Sequence, residues 1–296
     1  MAVLKETYSS KLVLKDVVSG SLNVGKPLFI SESTLRIYDL LYLTIMMNIR
    51  NMCSEQQISI ELRPLLNEAI SLYRNIYRDS LVSLFLAGSI PRGDFVRGES
   101  DADFYAVIET DITRELESEL RQKLSELSRV WRPHGITSVD GKSIKYNERH
   151  RRKNQRTMFI LGTDSICIHG TQLKLDFAIP NTADELALML NENAKKRLKN
   201  IDDRLQERRS NSKDIQRIVK LTKRCAFGVA LLRGASYSPK HRLYPGVIKQ
   251  YVPELSTQVD DLLMLSDTNA YPTSEMVNIA RKVILFAEGS GLRMVQ

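Results

Sequence analysis

The residues of clearest chemical promise fall in one window, Leu86-Ala-Gly-Ser-Ile-Pro-Arg-Gly-Asp-Phe-Val-Arg-Gly-Glu-Ser-Asp-Ala-Asp-Phe104. An apolar run ends there at Gly88 and Ser89. Glycine lets a ligand approach the backbone closely, and a turn offering N–H groups beside a serine hydroxyl can cradle an anion. Asp101 and Asp103 follow, flanking Ala102 where a second apolar run begins. Along a strand, side chains i and i+2 share a face, so the two carboxylates stand side by side. Such a pair is costly unless a cation lies between. Hard oxygen ligands at this spacing suit Mg²⁺, which binds through one or two carboxylates plus substrate phosphates. An anion cradle followed by a carboxylate pair points to metal-assisted phosphoryl or nucleotidyl transfer.

Other chemistries fit less well. Gly88 and Gly93 have the spacing of a Walker A loop, but Asp94-Phe95 stands where Lys-Ser/Thr is required. No Gly-x-Gly-x-x-Gly lies between a strand and a helix. The 4 histidines have no metal-ligand spacing. Cys53, Cys167 and Cys225 are odd in number and far apart, so they read as buried thiols of a reducing compartment rather than a disulfide framework or zinc site.

Three parts of the chain must position this window. Residues 1–79 read as a helical lead-in, with β-like character over Lys11 to Val18, one amphipathic helix over Leu35 to Met52 and a second from Leu65 to Tyr77 after Pro64. Residues 80–180 alternate short apolar runs with helix. Leu81 to Ala87 and Asp103 to Ile108 read as strands, Thr113 to Leu127 as a helix and Ile136 to Asp140 as a third strand. Met158 to Leu161 is a short apolar segment, and the basic run Arg149 to Lys153 a surface loop. Residues 181–296 are helical. Thr182 and Glu185 form a capping-box pattern before a long helix, Ala183 to Arg208. Further helices are expected over Ser212 to Leu232 and from Ser274 to Ala287, with a loop over Arg233 to Pro245. The expected class is α+β: a small mixed sheet followed by a C-terminal helical bundle, with the active site in the cleft between them.

The window resembles the signature of the DNA polymerase beta-like nucleotidyltransferase superfamily. There an apolar strand leads into Gly-Ser, then an Arg-Gly segment, then Ser-Asp-x-Asp and another apolar strand. Gly88, Ser89, Arg92, Gly93, Ser100, Asp101 and Asp103 fall in that register. The stretch Ile166 to Leu173, with His169 and Gly170, and the helical tail are similar to standalone members that include antibiotic adenylyltransferases. The resemblance implies that Gly88, Ser89, Arg92 and Ser100 bind the nucleotide and that Asp101 and Asp103 hold Mg²⁺. It implies a third carboxylate on a later strand, either Asp140 or, as the alternative, Asp176 in Leu173-Lys-Leu-Asp-Phe-Ala-Ile179. It also makes Lys220 a triphosphate contact, on a helix it shares with Lys223 and Arg224. His169 reads as a packing residue, and the loop Tyr237 to His241 either as a contact for nucleotide or acceptor or as a surface loop.

The 296 residues carry 43 Lys and Arg against 35 Asp and Glu, a formal net charge of +8. That balance favours polyanionic partners. No apolar run approaches the ~18 residues of a membrane span, and the N-terminus lacks a signal-peptide pattern, so a cytoplasmic location without membrane contact is expected. The expected partners are a nucleoside triphosphate and an acceptor that is a small molecule, an RNA end or a protein. Basic runs such as Lys195 to Arg197 lean toward an anionic acceptor. The competing reading is a non-catalytic RNA-binding module on a degenerate transferase fold. The intact Gly-Ser and Asp-x-Asp argue against it, as do aromatics at 7% where base stacking would want more.

Overall fold

A computed structural model describes residues 49–175 and 178–292. The β-like stretch Lys11 to Val18 and most of the helix expected over Leu35 to Met52 lie outside these residues, as does Asp176. The described end of that expected helix, 49–52, is not helical.

Four strands form one sheet: β1 (Leu81–Ala87), β2 (Ala102–Ile108), β3 (Val139–Lys145) and β4 (Ser165–Gly170). Their order is β3-β2-β1-β4. β1 runs antiparallel to β2 and β4, while β2 and β3 are parallel. The parallel pair needs a crossover, and α2 (Arg114–Trp131) supplies it. Thr113 caps α2, its hydroxyl accepting from the Leu116 N–H. Before the sheet lies α1 (Arg63–Tyr77), with Pro64 in its first turn.

Period two divides the sheet residues between two cores. Leu84, Leu86, Phe104, Ala106 and Ile108 face α1 and α2. Phe85, Val107 and Ile144 face the other way, into a core shared with α3 (Arg152–Thr163) and the helical region. That region holds α4 (Ala183–Asn191), α5 (Ala194–Gln206), α6 (Ser212–Leu232), α7 (Tyr244–Tyr251), α8 (Ser256–Thr268) and α9 (Ser274–Gly289). α6 is its axis, with thirteen of its residues buried between Asp214 and Leu231. The result is the α+β architecture expected, a mixed sheet followed by helices. No helix among the described residues is long and apolar enough to cross a membrane.

Several boundaries differ from the pattern reading. The third strand begins at Val139 and runs through Gly141 to Lys145. Gly141 is required there: a Cβ would stand 2.1 Å from the Tyr73 hydroxyl and 2.6 Å from Leu124 Cδ1. The Met158 to Leu161 segment belongs to α3, whose first turn takes up the end of the basic run. The helix expected over Ala183 to Arg208 is two helices, broken at Glu192 and Asn193. At the end of α4 the buried Asn191 amide donates to the carbonyls of Ala187 and Arg224, 3.0 and 3.2 Å away, pinning it to α6. The Thr182 hydroxyl accepts from the Glu185 N–H, but the Glu185 carboxylate reaches the Asn181 N–H instead of closing the box. The residues around position 176 that are described, 171–175, form no strand. Burial pushes the thiols of Cys53 and Cys225 up to about 12, so neither is a thiolate at neutral pH.

Candidate active site

β1 delivers the chain to Gly88, which adopts φ +87 and turns it sharply. A Cβ at Gly88 would stand 3.7 Å from Asp103 Oδ2, so a larger side chain would crowd the carboxylates. The Gly88 N–H donates to the Asp164 carbonyl at 3.0 Å and is therefore used internally. Ser89 is different. Its hydroxyl is buried and has no hydrogen-bond partner among the described residues. A buried hydroxyl without a partner costs about 1–3 kcal/mol, so this one is suited to donate to a ligand.

Asp101 precedes β2 and Asp103 lies in it. Asp103 pairs in register with Asp140 on β3. Parallel strands in register bring like positions together on one face, about 4.8 Å apart by strand spacing. Asp101, Asp103 and Asp140 thus offer carboxylate oxygens all within 4.8 Å of one another. Of the two candidates for the third carboxylate, Asp140 is the one that the described residues bring to the pair. Two contacts hold it. The Ser138 hydroxyl donates to Asp140 Oδ2 at 2.9 Å. Ser128 of α2 clips the strand's first residue, accepting from the Val139 N–H at 2.8 Å.

The electrostatics suit a bound cation. Burial, then the charges of Asp101 and Asp140, push Asp103 up to about 7. A dication between the three carboxylates would remove that repulsion and displace the proton. The donor set is all oxygen, as Mg²⁺ prefers. Three carboxylates and an unpartnered hydroxyl therefore fit Mg²⁺ with a phosphate-bearing ligand. Lys220 of α6 comes to the same place, its Nζ 3.9 Å from Asp101 Oδ2 and more than half exposed.

Two further residues in register with the resemblance make hydrogen bonds within the protein. Arg92 is nearly buried between carboxylates: Nη1 donates to Asp164 Oδ2 at 2.6 Å and Nε to Asp94 Oδ2 at 3.2 Å. The Ser100 hydroxyl accepts from the Val96 N–H at 2.9 Å and closes the turn before β2. Arg92 and Ser100 thus shape the loop that carries Ser89 and Asp101.

Sequence reasoning missed Asp94 and Asp164. Asp94 accepts from Lys240 Nζ at 3.1 Å and Arg242 Nη2 at 2.8 Å as well as from Arg92. Burial alone would raise its pKa, but the hydrogen bonds from Lys240 and Arg92 hold it below the usual carboxylate range. The 237–242 loop is thereby anchored to the turn after β1. Behind it, His241, Tyr244 and Phe227 stack, with ring centroids 4.7 and 3.9 Å apart. Burial, then Arg224 and the nearby lysines, depress His241 to about 3, so it is neutral. His169 lies on β4, paired with Leu84 and away from the carboxylates.

No protein-family model matches the chain. No curated protein matches it. Among solved structures, it is similar to the crystal structure of spectinomycin adenyltransferase AAD(9) from Enterococcus faecialis, determined with ATP and spectinomycin. The TM-score is 0.54 at 11% identity, over 77% of this chain and 98% of that one. At that identity the likeness establishes a shared fold.

Proposed function

We propose that this chain is a Mg²⁺-dependent nucleotidyltransferase that moves a nucleoside monophosphate from a nucleoside triphosphate to an acceptor hydroxyl, releasing pyrophosphate. The observation that carries the reading is the convergence of Asp101, Asp103 and Asp140 within 4.8 Å, beside the unpartnered Ser89 hydroxyl. The shared fold supports it, as does the ATP in the similar structure.

In this reading Ser89 donates its free hydroxyl to the triphosphate, with Gly88 leaving room beside it. Lys220 balances charge on the phosphates. Asp101, Asp103 and Asp140 hold Mg²⁺, which when bound polarises the phosphoryl oxygens and stabilises the leaving pyrophosphate. Asp140 also orients the acceptor hydroxyl and takes its proton. The acceptor oxygen bonds to the α-phosphorus, and the bond from that phosphorus to the β-phosphate's bridging oxygen breaks. The catalytic part is the sheet layer within 80–180, and the helices of 181–296 supply Lys220 and the acceptor side. In this reading the protein works in the cytoplasm, where nucleoside triphosphates are plentiful.

The test is thermal shift with ATP, GTP, CTP and UTP, each with and without Mg²⁺. It is run on the wild type and on the Asp101→Asn/Asp103→Asn variant. A ligand that binds only the native state raises Tm. A Mg²⁺-dependent rise with a nucleotide, lost in the variant, supports the reading. An unchanged Tm with all four nucleotides overturns it.

A further inference from the structure

Two of the carboxylates line a cavity flanked by cationic ones. A cavity of about 290 Å³ is lined by Asp103 and Asp140 with Lys142, Arg156 and Arg197. Through Asp140, Gly141 and Lys142 it adjoins a larger one of about 530 Å³ between β3 and α2, which adds Arg121, Arg129, Arg132 and Lys213. Through Arg197 it adjoins a third, of about 340 Å³, whose lining includes Arg204, Arg217, Lys220 and Arg224. Apart from Asp103 and Asp140, the acidic residue lining these cavities is Glu117.

The charge on the two sides of Asp140 is unequal in use. On the Lys220 side, Arg204 and Arg217 are both tied to the buried Asp214. Lys220 itself lies by Asp101, where a triphosphate would be held. On the β3–α2 side, Arg121, Arg129, Arg132 and Lys213 make no ion pair with a described residue. These charges are also spread out. Arg121 and Arg129 stand about two turns apart on α2, about 12 Å along its axis. A single phosphate cannot neutralise both, but the repeating phosphates of a polynucleotide can. A polycationic aminocyclitol or aminoglycoside would meet repulsion along the whole approach.

We propose that the acceptor is the hydroxyl end of a polynucleotide, its phosphodiester backbone lying along the β3–α2 cavity on Arg121, Arg129, Arg132 and Lys213. This inference rests on the nucleotidyltransferase reading and names its acceptor class. The terminal hydroxyl reaches Asp140 and gives up its proton there. Its oxygen bonds to the α-phosphorus of the donor, pyrophosphate leaves, and the strand grows by one nucleotide.

The experiment uses the full chain with Mg²⁺, the four nucleoside triphosphates and three kinds of acceptor. These are a 5′-fluorescein oligoribonucleotide, its DNA counterpart, and spectinomycin as the polycationic probe. Gel extension and pyrophosphate release are both read, and anisotropy gives strand affinity at several salt concentrations. One strand, RNA or DNA, should lengthen by a nucleotide, and its affinity should fall steeply with salt. Arg129→Glu/Arg132→Glu should weaken strand binding at least tenfold and flatten the salt slope by about 2. Arg121→Glu should weaken it in the same direction and checks the result if the double variant folds poorly. Lys282→Glu, an exposed site outside these cavities, should change neither. Nucleotide transfer to spectinomycin or to the protein itself, with neither strand bound, overturns the polynucleotide proposal and leaves the transferase reading standing. Strand binding that survives both charge reversals also overturns it. Pyrophosphate release absent with every acceptor overturns both.

Discussion

Asp103 and Asp140 are direct register partners across the parallel β2–β3 pair, and that pairing turns two acids 37 positions apart in the chain into neighbours. Burial and the flanking carboxylates raise Asp103 from 3.8 to about 7. Between those values the folded chain keeps a proton that the unfolded chain has lost. The group's penalty is therefore absent below about pH 4, grows between about pH 4 and 7, and levels off above 7. Asp103→Asn should match wild type in urea melts at pH 4 and exceed it at pH 8 by about 1–3 kcal/mol. A stability difference independent of pH would refute this. Mg²⁺ should narrow the gap at pH 8 by stabilising the wild type alone.

Gly141 should resist substitution. A Cβ there meets the Tyr73 hydroxyl and Leu124, so Gly141→Ala should cost about 1–3 kcal/mol. The Tyr73 hydroxyl is itself buried without a partner among the described residues, so Tyr73→Phe should be neutral or stabilising. It also removes the nearest obstacle. The double variant should then be more stable than the two single effects predict when added, which chemical denaturation measures directly. Simple additivity would show that Tyr73 is not what confines Gly141.

Arg92 should behave as a structural cation. Arg92→Met strands the nearly buried Asp164, while Asp94 keeps Lys240 and Arg242. Removing one partner of a buried pair costs about 3–5 kcal/mol. Adding Asp164→Leu to that variant should recover a large part of the loss. A loss under about 1 kcal/mol for Arg92→Met would mean the pair is solvated.

Ser89 separates ligand binding from folding. Because its hydroxyl has no partner among the described residues, Ser89→Ala should leave the melting temperature without ligand unchanged or slightly raised. The rise in Tm produced by nucleotide with Mg²⁺ should shrink. An equal rise in variant and wild type would remove Ser89 from the phosphate site.

The site was legible where chemistry and local pattern coincide. Leu81 to Ala87 reads as a strand because seven residues of apolar, β-compatible sequence stop at a glycine, and the structure has that strand with the same ends. α6 is equally plain over Ser212 to Leu232, since its apolar positions keep helical spacing throughout. The losses have particular causes. β3 hides its extent because Asp140, Gly141 and Lys142 are polar or small in mid-strand, and the reason for the glycine sits on α1, far back in the chain. The break at Glu192 and Asn193 contains neither Gly nor Pro. Its cause, the Asn191 amide reaching α6, is tertiary. The pairing of Arg92 with Asp164 is invisible in the motif, since the two lie 72 residues apart.

The place of β3 at the end of the sheet has a consequence for how copies of the chain behave toward one another. Among the described residues β3 is bonded on one side only, by β2, and its outer backbone groups lack a strand partner. Such a rim invites another chain to add a strand, the first step toward aggregation. Asp140 and Lys142 are exposed along that rim, and Lys145 follows at its end. An incoming strand would have to bury those charges. The charges of Asp140 and Lys142 thus oppose edge-to-edge addition at β3.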